Sequence, residues 1–234
     1  MKVHACSLMW GTAWERYGHL FAQTFDMWDE SIDLTLVTDN SIPFFTRPKF
    51  VYLKDIPGYT HFKEQWEEHP VKVFVPDQHQ WKYDAMKWVP QAVTPHYVIS
   101  KSKWKDGDIF VWLDADTTFH SLIDQEWIEK VLDGHDVACL QRKPVHTEIG
   151  FYALRLNDKT RAAMKRFHDH YVNRTVFDLK EWHSAFVWDA AIDADPSITI
   201  NNLNKTNDKT HVFPLSILAE KIIHNKGHRK PGGG

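Results

Sequence analysis

A chain of 234 residues, 43% hydrophobic and 25% charged, is long enough to bury one sizeable core and has the composition of an ordinary globular α/β domain. Its formal net charge of -3 supplies no overall basic field, which argues against tight nonspecific nucleic-acid binding through charge alone. Cys6 and Cys139 lie far apart in apolar, strand-like surroundings, as buried free thiols do in a reducing compartment. The start MKVHACSLMWG lacks the long apolar core of a signal peptide, and no window reaches the roughly 20 apolar residues of a membrane span, so a cytoplasmic protein is expected. The tryptophans could stack on sugars or bases, but a large core residue is mostly packing.

In chain order, Val3–Met9 reads as a first strand, and residues 11–25 as a loop entering a helix. Residues 34–39 and 49–53 read as further strands. Trp81, Ala85, Trp88 and Val89 recur at helical spacing, which predicts a helix over 80–92 that stops before Pro95. The run 109–119, IFVWLDADTTF, begins after Asp106-Gly107-Asp108 as a strand buried on both faces and delivers Asp114 and Asp116 at its end. Val137–Leu140 and residues 150–155 are expected strands, 159–171 a helix, 198–204 a loop or short strand, and 231–234 a flexible tail. Alternating helices and strands of this kind make a layered α/β fold.

The aspartate pair asks for a physical reason. Carboxyl ends of buried strands open onto ligand sites, and two carboxylates there are costly to desolvate unless a positive group joins them. A hard divalent cation, Mn²⁺ or Mg²⁺, fits oxygen ligands so spaced. A turn or helix cap would use the same residue type.

The Asp114-x-Asp116 strand end, together with His224-Asn225-Lys226-Gly227-His228-Arg229-Lys230-Pro231, resembles the GT-A-fold glycosyltransferases, in particular the glycogenin-like and bacterial galactosyltransferase branch with its His-x-x-Gly-x-x-Lys-Pro element. The resemblance, which extends to some phage and bacterial enzymes, implies a single domain over 1–230 with a central, mostly parallel mixed sheet flanked by helices. Residues 1–116 would form the nucleotide-sugar half, and 117–230 the acceptor half. It implies Asp114, Asp116 and His224 as metal ligands for Mn²⁺ or Mg²⁺, with Asp114 also reaching the ribose. Gly227 would let backbone approach phosphate, and Lys230, assisted by Lys226 and Arg229, would neutralise it. Metal charge would stabilise the diphosphate leaving group of a nucleotide-sugar donor. His224 should therefore approach Asp116 closely enough to share a cation.

The same resemblance suggests Thr12, Tyr17 and Asp39 near base and ribose, with Asp84 meeting the nucleotide and Lys87 the diphosphate. Lys87 supplies a point charge where relatives would carry the arginine fork. Thr147 or Glu148 would face the acceptor. Catalytic candidates are Glu148, Glu181, His183 and Asp189, since Ser184 stands where an aspartate is expected; retention or inversion stays open. The acceptor could be a glycan, a small metabolite or a hydroxymethylated phage DNA base. DNA would require Lys101, Lys103, Lys105, Arg142 and Lys143 to converge on a basic groove. Two alternatives use the same aspartates: a haloacid-dehalogenase-like phosphatase, whose motif normally opens its domain, and a noncatalytic sugar- or nucleotide-binding module with a structural Ca²⁺ site.

Overall fold

The structure is a computed structural model and describes residues 1–40, 45–206 and 212–225. Its strands are β1 (Val3–Met9), β2 (Asp33–Thr38), β3 (Lys49–Tyr52), β4 (Ile109–Asp114), β5 (Thr117–Phe119), β6 (Val137–Leu140), β7 (Glu148–Arg155), β8 (Ile200–Asn202) and β9 (Ile222–His224). The helices are α1 (His19–Thr24), α2 (Pro57–Glu68), α3 (Asp77–Gln80), α4 (Ala85–Lys101), α5 (Gln125–Leu132), α6 (Asp158–Val172) and α7 (Ser184–Asp193). Seven strands form one sheet in the order β3-β2-β1-β4-β7-β6-β8, while β5 and β9 form a separate two-stranded ribbon.

Strands β3, β2, β1 and β4 run parallel, β7 is antiparallel to both β4 and β6, and β8 is parallel to β6. This is the expected mixed, mostly parallel α/β sheet. Because strand side chains alternate, each strand feeds two cores. Ile109, Val111 and Leu113 of β4 join Val3, Ala5 and Met9 of β1 beneath Phe21 of α1 and Trp127, Ile128 and Val131 of α5. Phe110 and Trp112 join Cys6 and Leu8 on the other face, beneath α2, α4, α6 and α7. Parity therefore puts Asp114 on the α4 and α7 side, opposite Leu8 in the register. Cys6 and Cys139 are buried and free, and burial pushes both thiols well up.

The chief departure from expectation is α4. Trp81 to Tyr83 form one tight turn, and Asp84 caps a helix that passes through Pro90 and Pro95 to Lys101 rather than stopping before Pro95. An interior proline costs about 3 kcal/mol of helix stability. Val89, Ala92, Val93, Val98 and Ile99 are buried along this helix, and their packing outweighs that local penalty. The run 109–119 is divided too: β4 ends at Asp114 and β5 leaves the main sheet for the ribbon.

Phe110 is fully buried between Trp104 and Tyr152. Phe110→Ala should lower the unfolding free energy by about 3–5 kcal/mol in a urea titration, with little change in far-ultraviolet circular dichroism at zero denaturant.

Candidate active site

Two backbone devices bring the ends of the site together. In the ribbon, Thr117 is paired with His224, and the Asn225 N–H donates to the Asp116 carbonyl at 2.8 Å. The Thr117 hydroxyl donates to the Asp114 carbonyl at 2.7 Å, fixing the turn between the two carboxylates. As a result His224 Nε2 lies 3.0 Å from Asp116 Oδ1, despite the length of chain between them. Ligand atoms of Asp114, Asp116 and His224 all lie within 4.8 Å of one another. On β7, Gly150 makes room for the imidazole: a Cβ there would fall 2.7 Å from His224 Cε1.

The electrostatics are those of excess negative charge. Burial, reinforced by Asp116, raises the Asp114 carboxyl to about 6. For His224, burial lowers proton affinity, but the hydrogen bond to Asp116 and the potentials of Asp116, Asp114 and Glu148 outweigh it and leave the imidazole more basic than usual. A proton on His224 thus does in part what a bound cation would do. Two carboxylates and an imidazole form an oxygen- and nitrogen-donor set suited to Mn²⁺, with Mg²⁺ favouring oxygen more strictly.

Asp114 and Asp116 open onto a cavity of about 290 Å³ lined also by Trp10, Tyr17, Lys87, Trp88 and Gln91. Lys87 sits 4.9 Å over the Trp88 ring and also lines an adjoining aromatic groove with Asp84, Trp81 and Tyr83. Asp84 spends one oxygen capping α4, accepting from the Lys87 N–H at 3.1 Å. Asp39 ties the ends of β1 and β2, its Oδ2 accepting from the Gly11 N–H at 2.8 Å, and Thr12 is exposed on the same loop. Asp39 and Thr12 are not among the residues lining the aspartate cavity. Lys226, Gly227, His228, Arg229 and Lys230 lie outside the described residues.

The four acidic and histidine candidates separate by environment. Glu148 is buried, 3.6 Å from the Arg142 guanidinium. Glu181 accepts from Lys82 Nζ at 2.8 Å, His183 Nε2 at 2.9 Å and His146 Nε2 at 3.0 Å. Burial would raise the Glu181 carboxyl, but these donors hold it below the usual carboxylate range. His183 is the N-cap of α7: its Nδ1 accepts from the Phe186 N–H, so its Nε2 carries the proton that Glu181 receives. Burial, helped by His146, lowers its imidazole to about 4. Asp189 accepts from the Thr147 N–H at 3.0 Å, and burial raises its carboxyl.

His146, Glu181 and His183 also fall within ligand distance of one another. Two contacts oppose a metal there. The cap keeps the His183 proton on Nε2, and the Lys82 ammonium already compensates Glu181. No sequence motif assigns a role to His146, Lys82, Gln91 or Gly150, because each matters through a contact made across the fold.

The basic residues do not converge. Lys101 and Lys103 line a cavity of about 600 Å³ with Asp33 and Leu34, at the start of β2. Arg142 and Lys143 line another, of about 370 Å³, with His146 and Asp189, and Lys105 lines neither. Among the described residues no helix is long and apolar enough to cross a membrane.

No protein-family profile and no curated protein sequence matches the chain. Its fold does match solved structures. The crystal structure of mouse xyloside xylosyltransferase 1 in its apo form aligns over 87% of this chain and 86% of that one, with a TM-score of 0.50 and 11% sequence identity. At that identity the likeness is one of fold alone, a mixed, mostly parallel GT-A-like α/β sheet flanked by helices.

Two outcomes follow from these contacts. Gly150→Ala should displace His224 and weaken Mn²⁺ binding by roughly tenfold or more in calorimetric titration, while leaving the parent's secondary structure. For His183, the folded state holds the imidazole near 4 against an unfolded value near 6.5, so the unfolded chain binds more protons between those values. Its contribution, on the order of 3 kcal/mol, is present above about pH 6.5 and is lost as pH falls through about 4. His183→Asn, which retains a capping oxygen, should flatten the decline of unfolding free energy between pH 7 and 4.

Proposed function

We propose that the chain is a metal-dependent glycosyltransferase that moves a sugar from a nucleoside-diphosphate sugar to an acceptor hydroxyl. The observation that carries this reading is the meeting of Asp114, Asp116 and His224 at a cavity lined by Tyr17, Lys87 and Trp88. In it, Asp116 and His224 hold Mn²⁺ or Mg²⁺ with Asp114, and Lys87 faces the diphosphate. Bound metal would supply positive charge to the departing diphosphate. Tyr17 lines the aspartate cavity and Asp84 the groove that shares Lys87 with it, and both would meet base or ribose; Thr12 and Asp39, outside that lining, would do so, and Lys226, Gly227 and Lys230 would complete the phosphate site, by the motif resemblance.

Residues 1–116 then form the donor half of a single domain, and 117–230 the acceptor half. Of the carboxylates beyond the metal cluster, Glu181 is fully occupied by donors and Glu148 is paired with Arg142. Asp189, with its raised proton affinity, is the best-placed acid or base on the acceptor side. The cavity of His146 and Asp189 suits a hydroxyl-bearing acceptor such as a glycan or small metabolite. The separation of Lys101 and Lys103 from Arg142 and Lys143 weighs against a DNA acceptor.

The test is release of free nucleoside diphosphate from a panel of nucleotide-sugars in the presence of Mn²⁺ or Mg²⁺. The parent should consume at least one donor, chelation should stop it, and Asp116→Ala should reduce the rate by roughly 100-fold or more. If no donor is consumed and Asp116→Ala binds donors as well as the parent, the reading fails.

A further inference from the structure

Asp114 is not left to find its own orientation. Its Oδ1 accepts two N–H groups, Gln91 Nε2 at 2.9 Å and Trp112 Nε1 at 3.1 Å. Trp112 lies two residues earlier on the same face of β4, and Gln91 comes from the α4 helix packed over that face. Oδ2 accepts no hydrogen bond among the described residues. The carboxylate is therefore held by one oxygen and presents the other.

The Gln91 amide could make this bond in only one of its two orientations, since its oxygen would meet the carboxylate acceptor to acceptor. Asp114, as the acceptor, decides between them, and the Ser184 hydroxyl, which can donate or accept, meets the end that remains. That hydroxyl lies 2.5 Å from Gln91 Oε1, and because an amide oxygen only accepts, Ser184 donates. With Nε2 given to Asp114, Oε1 faces α7 and Ser184 holds it there. Ser184 is itself held at the first turn of α7, directly after the His183 cap. An ionised aspartate at 184 has no proton to donate and would favour the reversed amide.

We propose that Gln91 is a positioning residue for the metal cluster, anchored at its far end by Ser184, which keeps Asp114 Oδ2 turned toward the cation that Asp116 and His224 share. Outer-shell hydrogen bonds of this kind set the angle of a ligating carboxylate and typically change metal affinity 10–100-fold when removed. The inference rests on the glycosyltransferase reading for the identity of the metal, but its test reads metal binding rather than turnover. It also links the acceptor-side helix α7 to the donor-side carboxylate through two side chains.

The experiment is calorimetric titration with Mn²⁺ alone, alongside the indole N–H proton resonance of Trp112, assigned with Trp112→Phe. Gln91→Leu should weaken Mn²⁺ binding roughly tenfold and Ser184→Ala by a smaller factor. Both should move the Trp112 indole resonance, because Trp112 then gains a larger share of Asp114 Oδ1. Combined, the two substitutions should weaken binding no more than Gln91→Leu alone, as members of one chain do. Gln91→Asn, whose shorter amide cannot reach both partners, repeats the test should the leucine variant fold poorly. Unchanged Mn²⁺ affinity and an unmoved indole resonance in all variants would overturn the positioning role while leaving the function intact. A parent protein that binds neither Mn²⁺ nor a nucleotide-sugar would overturn the function instead.

Discussion

The site is organised around uncompensated negative charge. Asp114 ends the central strand of the sheet, where burial and Asp116 make its ionised form expensive, and Glu148 adds further negative potential. A fold tolerates such an arrangement only when positive charge is supplied. Here His224 supplies some of it, returning from the far end of the chain through a two-stranded ribbon to meet Asp116. A protonated imidazole compensates one unit of charge; a divalent cation would compensate two and relieve the raised proton affinity of Asp114. The same physics accounts for the small residue at Gly150 and for the two N–H groups aimed at one oxygen of Asp114.

The rest of the molecule gives that cluster a rigid frame and two sides. The parallel strands β1 and β4 bring Leu8 and Asp114 to one edge, with α4 supplying Gln91 and Lys87 above it. On the other side, α7 begins at the His183 cap and presents Ser184 toward Gln91 and Asp189 toward the neighbouring cavity. The network of half-buried Lys82 and His146 with buried Glu181 and His183 fastens the turn before α4 to the start of α7. Its role in the fold is to hold these two walls at a fixed spacing, with each charge satisfied.

Much of this was legible in the sequence where the signal was local. A continuous apolar run ending in Asp-x-Asp identified β4, and the resemblance of the His224 motif implied that this histidine would meet Asp116, as it does. Signals carried by tertiary packing were not. Pro90 and Pro95 argue for a helix end, and only the sheet beneath α4 overrides them. Strands of three residues, Thr117–Phe119 and Ile222–His224, are too short to show periodicity, so the ribbon that brings Asp116 to His224 could not be read directly. His183 read as a possible base, and its capping of α7 carried no sequence signal, because histidine is not among the usual N-cap residues. Gln91 carried no mark at all, because its importance depends on which way a single amide faces.

The central claim is that Asp114, Asp116 and His224 share one divalent cation beside a nucleotide-sugar diphosphate. Anomalous diffraction from crystals grown with Mn²⁺ and a nucleoside diphosphate tests it most directly. The account predicts a single strong peak within bonding distance of an Asp116 carboxylate oxygen and His224 Nε2, with diphosphate oxygens completing the coordination and Lys87 beside them. A peak seated instead between His146 and Glu181, or diphosphate bound with no metal at Asp116, would contradict it.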